Sequence, residues 1–276
     1  KNIKTGYVND VSKNIKVYAE DGTISKEWHH GQYMINHFQK VIDIAAKYQL
    51  TIKAHEPIKD TGLRRKYPNF ISREGAKGQE FNGFSSNGVN HATDLPFTRL
   101  LSGPMDYTPG IFKLNNFRYT EPGSGEIDQN AIVPSTIAKE LALYVVYYSP
   151  MQMAADLPEH YMKHPEAFEF IKKVPVDWSK KIILNSEISE YVTIARKDKN
   201  SDNWYIGGIT DEKDRSLNLA LDFLELGETY RFKIYKDKST THWKDNPMEY
   251  EIDEIELKIN KSSEISVYLA PGGGFA

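Results

Sequence analysis

The hydrophobic period of this chain changes near residue 186, and one type of structural layer cannot absorb both patterns. Before that point Met34, Phe38, Val41, Ala45 and Tyr48 recur at steps of four and three, drawing an apolar stripe along a helix predicted over Gln32–Tyr48. Leu50, Ile52 and Ala54 then alternate with Thr51, Lys53 and His55 as a short strand. It stops at Glu56-Pro57, because proline has no N–H for the ladder. Pro134, Ser135 and Thr136 open a second helix that carries Ile137, Leu141, Val145 and Tyr148 as far as Pro150, and a third is predicted over Pro165–Lys173. Beyond residue 186 the helical period is gone. Six β-branched or aromatic runs follow: Tyr191–Arg196, Trp204–Ile209, Leu217–Leu221, Tyr230–Tyr235, Ile252–Ile259 and Ile265–Leu269. Six such runs predict an antiparallel β-sandwich over 186–276, with a boundary near Trp178 to Asn185 and an α/β unit over 1–180.

The chain has 276 residues, 39% hydrophobic and 26% charged, enough core for one large domain or two ordinary ones. Thirty-five Lys and Arg against 38 Asp and Glu leave a formal charge of −3, too balanced for a nucleic-acid groove. No cysteine is present, which excludes disulfides, thiolate zinc clusters and Cys nucleophiles, so a metal would sit on oxygen or imidazole. No apolar run approaches the roughly 20 residues that span a bilayer. The chain begins at Lys1 with no signal-peptide pattern, and reads as processed or as starting partway through a longer protein.

The chemistry is concentrated in HEPIKDTGLRRKYPNFISREGAKGQEF, His55 to Phe81. Glu56, Glu74 and Glu80 are separated there by Pro57, Gly62, Pro68, Gly75 and Gly78, which marks a long irregular loop at a strand's C-terminal end. Such loops build the active site of a parallel αβ barrel. The plain alternative is that Glu74 and Glu80 are exposed loop charges and Glu56 pairs with Arg64 or Arg65. Two chemistries want clustered carboxylates: glycoside hydrolysis, with one protonated acid and one ionised base, and Ca²⁺ binding, with several carboxylates meeting at a point. His55, Lys4, Tyr7 and the aromatics near Phe81 and Phe84 are of the type that positions a sugar.

KTGYVND, the HEPIKDTGLRRKYPNFISREGAKGQEF stretch, LPFTRLLSGPMDYTPGIF, LALYVVYYSPMQMAADLPEHY, PVDW, DNWYIGGITD and the closing LAPGGG closely resemble, in order, glycoside hydrolase family 97, specifically its inverting α-glucosidase branch. The resemblance implies the later part of a (β/α)8 TIM barrel followed by a C-terminal antiparallel β-sandwich. The N-terminal β-sandwich and the remaining barrel of such an enzyme would lie upstream. Carried over by motif, Glu80 in GQEF matches the general acid and Glu56 in HEP the general base. Glu56, Glu74 and Glu80 match calcium ligands, and Lys4 and His55 match residues lining the −1 subsite. An acid in that role needs a raised pKa, whereas a base beside a cation stays ionised. Inverting carboxyl pairs stand roughly 6.5–9.5 Å apart, leaving room for the attacking water.

The branch is assigned from Gly6, which aligns with the aspartate nucleophile of retaining family members. Glycine cannot attack, and Asp10 falls beyond the strand end. The family's second base and a further calcium ligand precede KTGYV and are not in this sequence. The insert Thr120–Asp128 is expected either to alter the subsites beyond −1 or to be a surface loop. Asp106 in GPMDYTPG is expected either to touch substrate or to brace its own turn, Met151–Ala155 to pack beneath the barrel, and Trp204 and Tyr205 to be core or barrel contacts. The resulting expectation is a calcium-dependent, inverting exo-α-glucosidase acting on malto-oligosaccharides, periplasmic by resemblance. Its alternatives are a retaining α-galactosidase and a noncatalytic sugar-binding or structural fragment.

Overall fold

A computed structural model describes residues 1–6, 13–83, 85–115, 125–128 and 130–276. Tyr7, Asp10, Phe84 and residues 120–124 of the insert lie outside the described residues. The first half is built on strand β1 (Asn2–Thr5), a hairpin of β2 (Ile15–Tyr18) and β3 (Ile24–Glu27), helix α1 (Gln32–Lys47), β4 (Thr51–Ala54), the short helix α2 (Leu63–Lys66) and β5 (Phe70–Arg73). Strands β1, β4 and β5 form a parallel sheet in that order, with Lys4 opposite Lys53 and Thr5 opposite Ala54. A parallel bridge from Arg73 to Met105 continues the same direction. Helix α1 covers one face: Met34, Phe38, Ile42 and Ala45 are buried against Ile52, Ala54, Ile58 and Phe70. Tyr48, placed at the end of the predicted stripe, is exposed.

Two features of this half go beyond the sequence reading. Strand β4 is not half exposed as its alternation predicts, because both faces of this parallel sheet are covered: α1 lies over Ile52 and Ala54, and Lys53, on the other face, is 1% exposed and meets Asp106. The hairpin was not expected, although Asp21-Gly22 is a hairpin signal; Asp21 Oδ1 accepts from Thr23 N at 2.9 Å and Gly22 takes φ +80°.

Helix α3 (His91–Asp94) leads through short 3₁₀ turns to α4 (Ile137–Val146), α5 (Pro158–Tyr161) and α6 (Pro165–Lys173). Thr136 caps α4 by accepting from Lys139 N, and all ten helical residues are buried. Met151–Ala155 is a partly exposed loop rather than barrel packing, because Asp156 turns back to accept from Phe112 N and Lys113 N at 2.7 Å and carries the segment along the surface.

The C-terminal unit contains β6 (Trp178–Glu187), β7 (Tyr191–Asp198), β8 (Trp204–Thr210), β9 (Arg215–Ala220), β10 (Thr229–Lys236), β11 (Glu251–Lys258), β12 (Glu264–Leu269) and β13 (Gly274–Phe275). Six strands pair in the order β11-β10-β13-β8-β7-β6, all antiparallel, and β12-β9 forms a second sheet over one face. Strand β6 pairs with β7 from Trp178 to Glu187, so this unit starts at Trp178, the near end of the boundary expected over Trp178 to Asn185. On the other face α4 packs Ala142, Leu143 and Val146 against Val192, Ile194 and Ile209. Trp204 lies against Phe223, and Tyr205 meets Phe170 and Trp178, so both are core contacts as expected. Among the described residues, no helix is long and apolar enough to cross a membrane.

Candidate active site

The C-terminal ends of β1, β4 and β5 bring Lys4, His55, Glu56 and Glu74 to one side of the sheet, and the 3₁₀ turn at Gln79–Gly83 delivers Glu80 to the same point. His55 is the hub. Its Nε2 donates to Asp106 Oδ2 at 2.7 Å, since a carboxylate only accepts, while Nδ1 lies 3.4 Å from Glu74 Oε2 and 3.6 Å from Glu80 Oε2. Lys4 Nζ stands 3.8 Å from Glu80 Oε2. Four of the five sequence-assigned residues, Lys4, His55, Glu74 and Glu80, therefore converge on one place, and Glu56 lies beside them. The alternative pairing of Glu56 with Arg64 or Arg65 is not found: Arg64 faces Asp60 and the Ser102 carbonyl.

Beneath this cluster lies a pair that sequence reasoning did not assign. Lys53 Nζ is 2.8 Å from Asp106 Oδ1, with both side chains 1% exposed. Burial works to raise the Asp106 carboxyl, but hydrogen bonds from His55 and Lys53 outweigh it and hold the group below its ordinary value. Asp106 thus neither braces its own turn nor faces outward; it anchors the ring of His55. A cation at an inward position of a strand running into HEP was the available signal, and strand alternation hid it.

The Glu74 carboxyl is held above its ordinary pKa. Burial is the main cause, with the negative charges of Glu56 and Glu80 adding to it and His55 opposing. Its loop is held by Arg99, which donates to the carbonyls of Glu74 at 2.7 Å, Arg73 at 2.8 Å and Pro104 at 3.1 Å. Glu56 adopts φ +41°, a left-handed conformation costing on the order of 1–3 kcal/mol for a residue with a Cβ. Two contacts hold it there: its carbonyl accepts from His29 Nε2 at 2.7 Å, and its N–H points to Glu74 Oε2 at 3.5 Å. Across from it, a Cβ added to Gly6 would come 3.3 Å from Glu56 Oε2.

Ligand atoms of His55, Glu74 and Glu80 lie within 4.8 Å of one another, the grouping among the described residues suited to a cation. Two of the three expected calcium ligands are in it. Glu56 borders the group without its carboxylate joining, and His55 Nδ1 takes that place. A buried imidazole nitrogen facing two carboxylates without a hydrogen bond is a polar atom that a bound cation or sugar hydroxyl would satisfy.

Residues 1–76 match the family model described as glycoside hydrolase 97, and residues 177–276 match the one described as glycosyl-hydrolase 97 C-terminal, oligomerisation. Together the two cover more than half of the chain. The chain belongs to glycoside hydrolase family 97. A family 97 enzyme from Pseudoalteromonas sp., solved with panose and also with acarbose, superimposes with a TM-score of 0.89 at 44% identity, over 99% of this chain and 41% of that one. A retaining α-galactosidase of Bacteroides thetaiotaomicron is 36% identical over 86% of this chain and 35% of its own length. A probable retaining α-galactosidase of Streptomyces bingchenggensis is 30% identical over 62% of this chain. This sequence therefore spans about a third of the length of the first of these curated relatives.

Proposed function

We propose that this family 97 chain is the later part of the catalytic barrel, with its C-terminal sandwich, of an inverting exo-α-glucosidase. Glu80 is the general acid, which protonates the leaving glycosidic oxygen, and Glu56 is the general base, which takes a proton from the attacking water. The observation that carries the reading is at Gly6. At Gly6, aligned with the aspartate of a retaining enzyme, there is no side chain to attack, and the Glu56 carboxylate lies 3.3 Å from where a Cβ would stand. Panose, seen in the structural relative, is a glucose trisaccharide and favours a glucoside as substrate.

In this scheme His55 and Lys4 position the sugar, and Asp106 keeps the imidazole turned so that Nδ1 faces the reacting groups. Glu74 and Glu80, with Glu56 alongside, would hold a calcium ion, whose charge would offset three carboxylates in one small space and favour the ionised form of the base. The rest of the barrel, the upstream sandwich and a periplasmic setting belong to the same proposal.

The curated relatives favour a second reading, a retaining α-galactosidase. Proton NMR of the first-formed sugar in the full-length enzyme separates the two. β-Glucose from an α-glucoside is expected; an α-configured first product, or turnover of α-galactosides alone, overturns the proposal. Glu80→Gln should abolish most turnover of maltose and spare substrates with activated leaving groups, and chelation should lower activity.

A further inference from the structure

The general base proposed above stands on a backbone that its own sequence resists. Glu56 combines φ +41° with a proline at 57, and the Pro57 ring favours extended backbone in the residue before it. Left to itself this Glu-Pro step would straighten. The carboxylate would then turn away from its place beside Gly6.

The restraint comes from outside the loop. His29 Nε2 donates to the Glu56 carbonyl at 2.7 Å, whereas the Glu56 N–H lies 3.5 Å from Glu74 Oε2, at the limit of a hydrogen bond. A carbonyl only accepts, so Nε2 carries its proton whether the ring is neutral or charged. His29 itself has little freedom. It is 1% exposed, in the turn between β3 and α1, where Gly31 N donates to Trp28 O at 2.8 Å and a Cβ on Gly31 would come 3.0 Å from that oxygen. Its ring stands edge-on to Phe38, 6.0 Å between centroids, and Phe38 belongs to the apolar cluster that packs α1 on β4. Packing against Phe38 asks only for a ring; the N–H is spent on Glu56.

We propose that His29 is a positioning residue for hydrolysis, whose N–H locks Glu56 in its left-handed conformation and so aims the base carboxylate. The inference rests on Glu56 being the general base. His29 touches no substrate in this scheme, so losing its N–H lowers turnover without weakening substrate binding.

The test uses the full-length enzyme. His29→Gln keeps an N–H donor at the reach of Nε2, and His29→Met has a similar length and no donor. On maltose the Met variant should lose about 10- to 100-fold in kcat with KM within about threefold of wild type, and the Gln variant should stay within about threefold in both. Azide attacks without giving up a proton, so it should raise turnover of an aryl α-glucoside by the Met variant about fivefold or more and leave the Gln variant unchanged. Should the Met variant melt more than about 10 °C below wild type, His29→Phe, which keeps the ring against Phe38, takes its place with the same expectations. Equal kinetics for the variants with and without the donor, both active or both impaired, would overturn the proposal, as would a raised KM at unchanged kcat. Glu56→Gln, measured in parallel, separates the two layers of the argument. Full activity there removes the base assignment and this inference with it, whereas an inactive Glu56→Gln beside a fully active Met variant removes only the role of His29.

Discussion

Replacing Asp106 by Asn tests the reasoning beneath the site most directly. The carboxylate is 1% exposed, 2.8 Å from Lys53 Nζ and 2.7 Å from His55 Nε2, so neutralising it leaves Lys53 as a buried cation with no counter-charge. Breaking one side of a buried pair costs about 3–5 kcal/mol, whereas removing both charges together costs far less. For a chain of this size that single change should lower the melting temperature by roughly 6–15 °C. Urea unfolding of Asp106→Asn, Lys53→Met and the double variant forms the cycle, and the double variant should recover at least about 1.5 kcal/mol relative to the sum of the singles. The pH dependence follows from the depressed Asp106 pKa. Its contribution is present above the ordinary value of 3.8 and is lost as pH falls through the lower folded value, so the gap between wild type and Asp106→Asn should close in acid. An Asn variant within about 1 kcal/mol of wild type, with no coupling to Lys53, would refute the argument.

Three further outcomes are expected. Gly110→Ala should destabilise by about 2–4 kcal/mol in chemical denaturation, because the position holds φ +92° and a Cβ would run into the Tyr144 ring, whose hydroxyl donates to Pro109 O. Burial pushes Glu140 up from 4.5 to about 7, against hydrogen bonds from Ser135, Gly110 N and Ile111 N; its contribution is therefore fully present below 4.5 and lost as pH rises through about 7. Glu140→Gln should flatten that part of a melting profile between pH 5 and 8, and an equally steep profile would count against it. Gly6→Asp in the full-length enzyme should lower kcat by on the order of 100-fold without changing the anomer first released, since the new side chain starts 3.3 Å from Glu56 Oε2.

The helices were legible because burial of one face imposes a period: α1 and α6 begin where the sequence places them, and the helix opened by Thr136 has its cap. Strand β6 was less legible, since Lys180 and Lys181 sit on an exposed sheet edge and charge there reads as a linker. Strand β13 is too short and glycine-rich to show any period. In the site, the acidic residues stood out by their loop, but their support did not. Lys53 looks solvent-facing by alternation until both faces of the sheet are known to be covered, and Asp106 meets His55 across 51 residues, a separation that no local pattern encodes.

Helix α4 has no outer side. Its Leu143 and Val146 belong to the same apolar cluster as Met105 and Tyr107 from the parallel half and Val192 and Ile209 from the antiparallel half, while Lys139 Nζ donates to Thr210 O and Arg196 Nε donates to Val145 O. The two halves consequently share a core instead of touching through a linker. Cutting the chain before Trp178 should not release two independent modules, and melting should proceed as one cooperative transition that carries the carboxylate cluster with it.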